Sequence, residues 1–265
     1  NALSESFRVK SVRDGQARIV DFAHGIYQGE ENPEQIEEAN GTEITFRPDR
    51  EFFQQFQFIP EHVENMIWNY AFLNAGLALY FNGGRYYSEN GLLDLLHRKT
   101  DEENMRYPVI HLKGNDIEIA LTHGNQYGEE YYSFVNGQHT SQGGTHLNAF
   151  KEGLVKVLRD FYKKDYDPSD IRSSVIAAVS IRMPNPVFES QTKTKLGSAN
   201  IEEGGQTMRT FFYDFLRANL DNYLHRNPQT ADALLNRIQQ SEKERKEIAG
   251  VKKLAKERAR KASIH

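Results

Sequence analysis

The segment Val175-Ile-Ala-Ala-Val-Ser-Ile-Arg-Met183, with the stretch Pro184-Asn-Pro-Val-Phe-Glu-Ser-Gln-Thr-Lys-Thr-Lys-Leu-Gly-Ser198 that follows it, decides how the chain folds. Its first part is nearly continuous in apolar and β-branched residues, which is typical of a strand buried on both faces. Pro184 and Pro186 cannot donate to a sheet ladder and therefore end the strand. After Phe188 the segment is mostly polar and predicts a loop that runs to the next helix.

The predicted loop offers several groups that can bind an oxyanion. Gln191 supplies an amide, Thr192 and Thr194 supply hydroxyls, and Lys193 and Lys195 supply mobile ammonium groups. This set suits a multiply charged anion such as a chain of phosphates. Composition alone leaves a second explanation open, because solvated surface loops commonly contain the same polar residues.

Length and composition limit the class of protein. The 265 residues suffice for one large or two small domains, and with 38% hydrophobic and 11% aromatic residues they can build a core. No apolar run is long enough to span a bilayer, and the absence of cysteine excludes disulfides, thiolate metal sites and a cysteine nucleophile. We therefore expect a cytoplasmic protein without membrane association. The formal net charge of −4 argues against a surface covered with nucleic-acid-binding charge.

Alternating apolar residues predict strands in the first part of the chain. Two such runs flank Asp14-Gly15, which is typical of an antiparallel hairpin with a tight turn. Residues 28–40 are polar and acidic and predict a mobile loop. Thr42, Ile44 and Phe46 then alternate with polar residues, so this strand is predicted to turn all three side chains inward.

The middle of the chain predicts alternating helices and strands. The expected elements are a helix over Glu61–Ala75 ending at Gly76, a short strand over Leu77–Phe81, a turn at Gly83-Gly84 and a short helix over Asn90–Leu96. Ile117–Leu121 alternates as a strand, and Tyr131–Asn136 is predicted to return as its partner.

An amphipathic helix is predicted after Gly143-Gly144, with Thr145 as its N-cap. Its apolar stripe consists of Leu147, Phe150, Leu154, Val155, Leu158 and Phe161. Its opposite face carries Lys151, Lys156, Arg159, Lys163 and Lys164. His139 and His146 flank the glycines, but no further ligand stands at a metal-binding spacing, so we expect no metal site.

Two helices are predicted to close the chain. The first has a broad apolar face from Phe211 to Leu224, and Pro228 occupies the first position of the second. The second helix is apolar early and charged later, which favours an extended arm. Its basic end favours a solvated helix with Glu–Lys pairs over a dedicated DNA contact, and consists of Lys252, Lys253, Lys256, Arg258, Arg260 and Lys261.

Five features occur in one order along the chain: Asn1-Ala-Leu-Ser4, Gly41-Thr-Glu-Ile-Thr-Phe-Arg-Pro-Asp49, Phe72-Leu-Asn-Ala-Gly-Leu77, Tyr132-Ser-Phe-Val-Asn136 with Gln142-Gly-Gly-Thr-His146, and Gln191-Thr-Lys-Thr-Lys-Leu196. In that order they resemble the end of the helix after the nucleotide lid, the Gly-Thr strand, the Phe-Leu-Asn helix end, the transducer strand, turn and helix, and the Gln-Thr-Lys loop of the ATPase region of type IIA DNA topoisomerases. The loop sequence is closer to that of the topoisomerase IV B protein than to that of gyrase B. Ser173-Ser174 stands where many members have Glu-Gly, which affects only the local backbone.

The resemblance implies an α+β fold in two parts. Residues 1–86 would be the C-terminal portion of a GHKL (Bergerat) ATPase sandwich. Residues 87–265 would be a transducer domain with a ribosomal-protein-like βαβ fold and a long C-terminal helix. In the family the metal-binding asparagine, the general-base glutamate, the adenine-binding aspartate and the glycine lid all precede the position of Asn1. The resemblance therefore implies a fragment that is inactive alone.

The same resemblance implies roles for four residues. Gln191 and Lys193 would reach the γ-phosphate of ATP, bind it and assist its hydrolysis. Thr42 would help to hold the adenine ring, often through water. Lys151 occupies a position on the helix that lines the DNA cavity in the family, and would contact DNA. The intact subunit would use ATP and Mg²⁺.

The implied function is that of a bacterial isomerase which couples ATP hydrolysis to the passage of one DNA duplex through another. Its partners would be a DNA duplex, the DNA-cleaving subunit of the holoenzyme and, when ATP is bound, a second copy of the same subunit; the chain alone would be a monomer. The alternative is a non-catalytic DNA-holding or interaction module that shares the transducer fold. The Gln191–Lys193 loop distinguishes the two, because a module without nucleotide coupling has no physical need for it.

Overall fold

The structure is a computed structural model that describes the backbone of residues 1–262 and the side chains of residues 1–252, 254 and 255. The chain divides into two compact units, Asn1–Val63 and Glu64–His265. Within the described residues, no helix combines the length and the apolar character needed to cross a membrane. The functional domain boundary near Tyr86 stays a prediction. Most of the basic group at the end of the chain lies outside the described side chains, namely Lys253, Lys256, Arg258, Arg260 and Lys261.

The first unit is built on a four-stranded antiparallel sheet. Its strands are β1 (Ser4–Arg13), β2 (Gln16–Ala23), β3 (Ile26–Glu31) and β4 (Gly41–Pro48), in the spatial order β3-β2-β1-β4. The predicted hairpin is confirmed, since Asp14 and Gly15 join β1 to β2 with φ angles of 50° and 78°, as a tight turn between twisted strands requires. Ala2 and Leu3 form a turn before β1, where the sequence suggested the end of a helix.

Two further predictions for this unit are wrong. Residues 28–31, expected in a loop, belong to β3 and pair with β2. The side chains expected to face inward on β4 are instead open: Thr42 is exposed, Ile44 is 58% exposed and Phe46 is 49% exposed. The physical reason is that alternation separates the two faces of a strand but does not decide whether either face is covered. Aromatic contacts, including the one from Phe58, cover Phe46 only in part.

The second unit combines a mixed sheet with helices. In chain order its elements are α1 (Pro60–Leu73), in which the boundary lies, β5 (Leu79–Phe81), β6 (Gly84–Tyr86), α2 (Leu92–Lys99), β7 (Ile110–Lys113), β8 (Ile117–His123), β9 (Glu130–Val135), β10 (Gln138–His139), α3 (Thr145–Tyr162), α4 (Pro168–Arg172), β11 (Val175–Ile181), α5 (Met208–Arg226) and α6 (Pro228–Ala262). Strands β7 to β11 form one sheet in the order β10-β9-β11-β8-β7, and β5 pairs with β6. The predicted α+β class is confirmed. Helices occur where they were predicted, but α1 ends at Leu73, before Ala75 and Gly76, and α2 covers Leu92–Lys99 where Asn90–Leu96 was predicted.

β11 is the central strand of this sheet and is buried on both faces, as its sequence predicts. Alternate residues of a strand point to opposite faces, so they join two different clusters. Ala177 and Val179 belong to the larger core, which is formed with α3 and α5. Ile176 and Ala178 belong to the smaller core, which is formed with α2. Helices therefore cover both faces of the sheet.

The pairing predicted between Ile117–Leu121 and Tyr131–Asn136 is wrong. Strand β11 lies between β8 and β9, so that Ala177 is opposite Leu121 on one side and Tyr131 on the other. Strands that follow one another in sequence often pair as hairpins, and the prediction relied on that tendency. Here α3 carries the chain from β9 back to β11, which runs parallel to β9, and this βαβ unit fills the space that a hairpin would have closed.

Polar contacts fasten α6 to α4. The carboxylate of Asp170 is 1% exposed and accepts hydrogen bonds from Arg245, with 2.7 Å between Nη2 and Oδ2, and from the Ser241 hydroxyl at 3.2 Å. Such a buried carboxylate requires these partners, because burying an unpaired charge is costly. After Arg245 the described side chains of α6, at residues 246–252, 254 and 255, are exposed, as expected if the end of this helix forms an extended arm.

A second contact fastens α6 to the start of β11. Arg237 is 7% exposed and donates from Nε to the Ser174 hydroxyl oxygen at 2.8 Å and from Nη2 to that of Ser173 at 2.9 Å. Ser174 has φ = 64°, in the left-handed region that glycine occupies more easily. The pair Ser173-Ser174 therefore does more than alter the backbone, because it supplies both acceptors for a buried guanidinium.

Replacing Ser174 tests whether its left-handed backbone strain or its hydrogen bond to Arg237 has the larger effect on stability. Ser174→Gly relieves left-handed strain of about 1–2 kcal/mol. It also removes a hydrogen bond to a charged group, worth about 1.5–3 kcal/mol, and increases the entropy of the unfolded chain by about 0.4–1 kcal/mol. We therefore expect a net loss of stability of about 1 kcal/mol, measured by urea unfolding. Ser174→Ala keeps the strain and loses the bond, so it should be the least stable of the three proteins. A glycine variant more stable than the parent would contradict this role of the hydroxyl.

Candidate functional site

The predicted oxyanion loop is a narrow, closed structure after β11. Glu189 N–H donates to Lys195 O at 3.0 Å and Gly197 N–H to Val187 O at 2.8 Å, so the two arms pair around residues 190–194. At the tip, Lys193 N–H donates to Ser190 O at 3.0 Å, and Lys193 has φ = 55°. Gln191 and Lys193 are both exposed on this tip. The structure thus brings the two predicted site residues together on one turn.

The departure of the loop from the sheet is fixed by Asn136, at the end of β9. Its side-chain amide donates to Met183 O at 2.8 Å, and its side-chain oxygen accepts from Met183 N–H at 2.8 Å. Asn136 has φ = 50°, which asparagine tolerates better than most residues. This two-way bond continues the pairing of β9 and β11 beyond the last residue of the strand. It thereby sets the direction in which the loop begins.

The returning arm of the loop is hydrogen-bonded to the segment that starts α3. Gln142 N–H donates to Thr194 O at 2.9 Å, Leu196 N–H to Gly143 O at 3.0 Å, and Thr145 N–H to Leu196 O at 3.1 Å. Leu196 itself is completely buried in the larger core. The loop and the N-terminus of α3 are therefore one hydrogen-bonded assembly.

Thr145 has a different role from the predicted one. The N-cap residue of α3 is Gly144, with φ = 130°, and Thr145 is the first helical residue. The prediction failed because the Thr145 hydroxyl donates to Ser198 O at 2.6 Å in the loop, and so does not cap its own helix. This bond adds a further link between α3 and the returning arm.

Gly144 is required by the close approach of the loop. A Cβ atom at this position would lie 2.3 Å from Leu196 O and 2.5 Å from Leu196 N, both of them backbone atoms. Such distances are far below van der Waals contact, and backbone atoms cannot move aside as a flexible side chain can. Its positive φ further disfavours any other residue. The contact between loop and helix therefore depends on the missing side chain at residue 144.

The two lysines of the loop differ in their electrostatic surroundings. Lys195 Nζ lies 3.0 Å from Glu189 Oε1, so its charge is largely balanced. Lys193 makes no ion pair with any residue whose side chain is described. It also lines a cavity of about 860 Å³ together with Arg182 and the single carboxylate of Asp116. Lys193 is thus the cation of this loop that remains available to an anionic ligand.

Buried polar side chains lie beneath the glycine turn. Thr140 Oγ1 is 2.7 Å from Ser133 Oγ and 3.1 Å from His146 Nε2, and all three residues are buried. Burial lowers the pKa of His146 to about 4, so the ring is neutral at physiological pH. A neutral, enclosed imidazole serves here as a hydrogen-bonding group of the core.

Lys151 lies on α3 but its charge is already engaged. Its ammonium is 3.3 Å from Glu129 Oε2 and 4.0 Å from the centre of the Tyr131 ring. Burial raises the pKa of Glu129, but hydrogen bonds from Tyr131 and Arg172 and the charges of Arg172 and Lys151 outweigh it and hold that pKa below its usual value. Any anion that binds Lys151 must therefore compete with Glu129.

Much of the basic face predicted on α3 is balanced in the same way. Arg159 pairs with Asp165 at 2.9 Å and Lys164 with Glu242 at 2.9 Å. Lys156 lies 3.8 Å from the centre of the Tyr213 ring. Lys163 and Lys164 were predicted on this face, but they lie beyond the end of α3 at Tyr162. The helix and the residues after it therefore present a mixture of charges, which the sequence pattern alone did not indicate.

The remaining predicted site residue, Thr42, belongs to the first unit, where it lies exposed on the edge strand β4 opposite Ser11. Its role in holding adenine stays a prediction. Among the described residues, no three histidine, cysteine or acidic side chains come together as a metal site.

Comparison with solved structures finds this fold in the ATPase regions of type II topoisomerases. The chain is similar to the 43K ATPase domain of Thermus thermophilus gyrase B, solved in complex with an aminocoumarin, with a TM-score of 0.74 and 25% identity over 96% of this chain and 72% of that one. It shares its fold with the ATPase region of Saccharomyces cerevisiae topoisomerase II, with a TM-score of 0.63 and 18% identity over 84% and 60% of the two chains. The fold thus defines a relative of type II topoisomerase ATPase regions.

Curated relatives agree with this class. The B protein of DNA topoisomerase 4 from Borreliella burgdorferi is 36% identical over 264 residues, which cover 100% of this chain and 43% of that protein. The DNA gyrase B protein of Halalkalibacterium halodurans is 29% identical over 259 residues, which cover 89% and 40%. The family model of DNA gyrase B matches residues 86–254, and the chain belongs to this family. It spans about two-fifths of the length of these relatives.

The family match confirms the resemblance proposed from the five sequence features. The roles of Gln191 and Lys193 stay a prediction, and sequence reasoning missed the residues that hold their loop in place, Asn136, Gly144 and Leu196. Two signals could have revealed these: the glycine pair before an amphipathic helix, and the single large apolar residue at the end of a polar loop.

Replacing Gly144 by alanine should separate the loop from α3. We expect faster amide hydrogen exchange at Thr145 and Leu196, whose N–H groups make the bridging bonds. Gly137→Ala is the matched control, because Gly137 also has a positive φ, 79°, but a Cβ there meets nothing within 4 Å. The control should lose only the conformational term of about 1–2 kcal/mol. Equal exchange rates in the two variants would show that the clash with Leu196 is unimportant.

Proposed function

We propose that this chain acts in the ATP-hydrolysing subunit of a bacterial type II DNA topoisomerase, and couples ATP binding and hydrolysis to the passage of one DNA duplex through another. The B protein of topoisomerase IV is the preferred assignment, supported by 36% identity to one such protein against 29% to a gyrase B. DNA substrate in a bacterial cell is cytoplasmic, and so we assign the protein to that compartment.

One observation carries this proposal. The loop has an available ammonium at Lys193, and the same loop is hydrogen-bonded to the start of α3. A surface loop without a coupling function has no need for either feature. Together they suit a loop that contacts a phosphate at one end and a moving helix at the other.

The proposed chemistry follows from the charges. The Lys193 ammonium and the Gln191 side-chain amide would donate hydrogen bonds to the terminal phosphate of ATP. As that phosphate is transferred to water, negative charge redistributes over its oxygens, and a fixed cation stabilises the transition state more than the ground state. A side chain of this kind adds transition-state stabilisation without itself exchanging a proton.

The same contact explains the proposed coupling. Lys193 would bind the ATP state more tightly than the ADP state, because only ATP has the terminal phosphate. A ligand shifts a conformational equilibrium only by its difference in affinity for the two states. When the phosphate is lost, the loop would be released, and its hydrogen bonds with Gln142, Gly143 and Thr145 would transmit its movement to α3.

Only three residues of this chain, Gln191, Lys193 and Thr42, are proposed to contact ATP, and none is proposed to bind Mg²⁺. Among the described residues, no three acidic or histidine side chains come together as a metal site. In the intact subunit Mg²⁺ would accompany ATP. We propose Thr42 as a contact to adenine through water, on the basis of the family resemblance of its strand. The proposed protein partners are the DNA-cleaving subunit and, in the ATP-bound state, a second copy of the same subunit.

Lys193→Ala in the full-length subunit should lower the rate of ATP turnover by roughly a hundredfold to a thousandfold, the range for one lost electrostatic donor. The measurement is steady-state ATPase activity with and without DNA. Lys195→Ala is the matched control, because it removes a neighbouring charge that Glu189 already balances, and its effect should be less than threefold, or about 0.6 kcal/mol. Near-normal turnover in Lys193→Ala would favour the alternative of a non-catalytic DNA-holding module.

We further propose that Lys151 contacts the transported duplex. In the full-length subunit, Lys151→Gln should reduce DNA affinity. It should also make the plot of log affinity against log salt concentration less steep by about one unit, as for the loss of one phosphate contact. Glu129→Gln should act in the opposite direction, because it frees the Lys151 ammonium from its ion pair. Lys113→Gln, on β7 with its own glutamate partner at 3.8 Å, serves as the control. Fluorescence anisotropy of labelled duplex DNA checks all three, and changes of the same sign in the Lys151 and Glu129 variants would refute the contact.

A further inference from the structure

A second cavity lies at the corner between α5 and α6, away from the Gln191–Lys193 loop. It has a volume of about 560 Å³ and is lined by the end of α5, the first turn of α6 and residues 106–108 before β7. None of its lining residues is acidic, but two are arginines, Arg106 and Arg226. A cavity with two cations and no carboxylate favours an anionic ligand.

The two arginines are available for binding. Both are exposed, and neither makes an ion pair or a side-chain hydrogen bond with the residues described. Arg245 in the same unit contrasts with them, because its guanidinium is held by Asp170. Arginine pairs with phosphate through two parallel N–H donors, so two such residues that line one cavity suit a phosphate-type anion.

The first turn of α6 adds backbone donors to the same cavity. Pro228 occupies the first helical position and has no N–H, while the N–H groups of Gln229 and Thr230 have no backbone acceptor among the described residues. Asn227 does not cap the helix, because its side-chain oxygen accepts no hydrogen bond from the described residues and its side-chain N–H donates backwards to Tyr223 O at 2.8 Å. Free N–H groups and the positive end of the helix dipole attract anions.

Thr230 points to a ligand independently of the helix end. It lines the cavity and is only 7% exposed, yet its hydroxyl has no hydrogen-bond partner within the described part of the chain. The hydroxyl is open to the cavity, and so it can donate a hydrogen bond to a ligand there. An oxyanion in the cavity would accept from this hydroxyl and from the backbone N–H groups beside it.

We propose that this corner, defined by Arg106, Arg226, Gln229 and Thr230, is a binding site for a phosphate-type oxyanion. The phosphate group comes either from a DNA backbone or from a free phosphate. The site uses none of the residues assigned to ATP hydrolysis, so it does not depend on the function of the Gln191–Lys193 loop.

The test is an NMR titration of the 265-residue chain with inorganic phosphate, at ionic strength kept constant with sodium chloride. The amide signals of Gln229 and Thr230 should shift and saturate. Arg106→Gln and Arg226→Gln should each weaken phosphate binding roughly tenfold, as for the loss of one charge-assisted hydrogen bond. Thr230→Val, which keeps the side-chain shape, should weaken it severalfold. Arg217→Gln is the matched control on α5, because it is exposed and lies outside the cavity, and it should leave binding unchanged.

A parallel titration with a short DNA duplex identifies the source of the phosphate. If the duplex shifts the same two amides and inorganic phosphate reverses the change, the ligand is a DNA phosphodiester. If only inorganic phosphate acts, the ligand is a free phosphate. The proposal is overturned if neither ligand gives a saturable shift at Gln229 and Thr230, or if Arg217→Gln weakens binding as much as the cavity variants do.

Discussion

The close approach of two backbone segments, at Gly144 and Leu196, is the contact on which the candidate site depends. Leu196 is buried in the same core as α3 and α5, and its N–H and C=O groups are both used by the segment 143–145. A side chain at residue 144 would separate them, since its Cβ would meet the leucine backbone. A polar loop that would otherwise be free is thereby fixed at one end to a helix of the core. The position of Gln191 and Lys193 follows from that attachment.

Much of the fold could be predicted from local sequence patterns. The buried character of β11, the apolar stripe of α3 and the hairpin at Asp14-Gly15 depend on periodicity and turn chemistry that a few neighbouring residues contain. The partner of β8 could not be predicted in this way. It is set by where α3 crosses the sheet, which involves residues far apart in sequence.

In the candidate site, too, local sequence predicts some features, whereas others depend on residues that are far apart in sequence. Residue type identified Lys193, but only the structure shows that Lys195 is balanced by Glu189 and that Lys151 is balanced by Glu129. The sequence of a helix shows which of its own residues are basic, but it does not show which acidic side chains from other elements pair with them. Thr42 was assigned an inward direction from alternation alone, and that inference failed because alternation does not reveal whether anything covers the face.

Leu196 has a mechanical consequence. Since its side chain has no solvent exposure, whereas the tip at residues 190–193 is exposed, the returning arm has a fixed point close to one end. The arm cannot swing away from the body like a flap without pulling an apolar side chain into water. Movement that leaves Leu196 in place is therefore confined to the exposed tip. A larger displacement of the arm would break the hydrogen bonds between Leu196 and residues 143–145, or would carry the first turn of α3 with it.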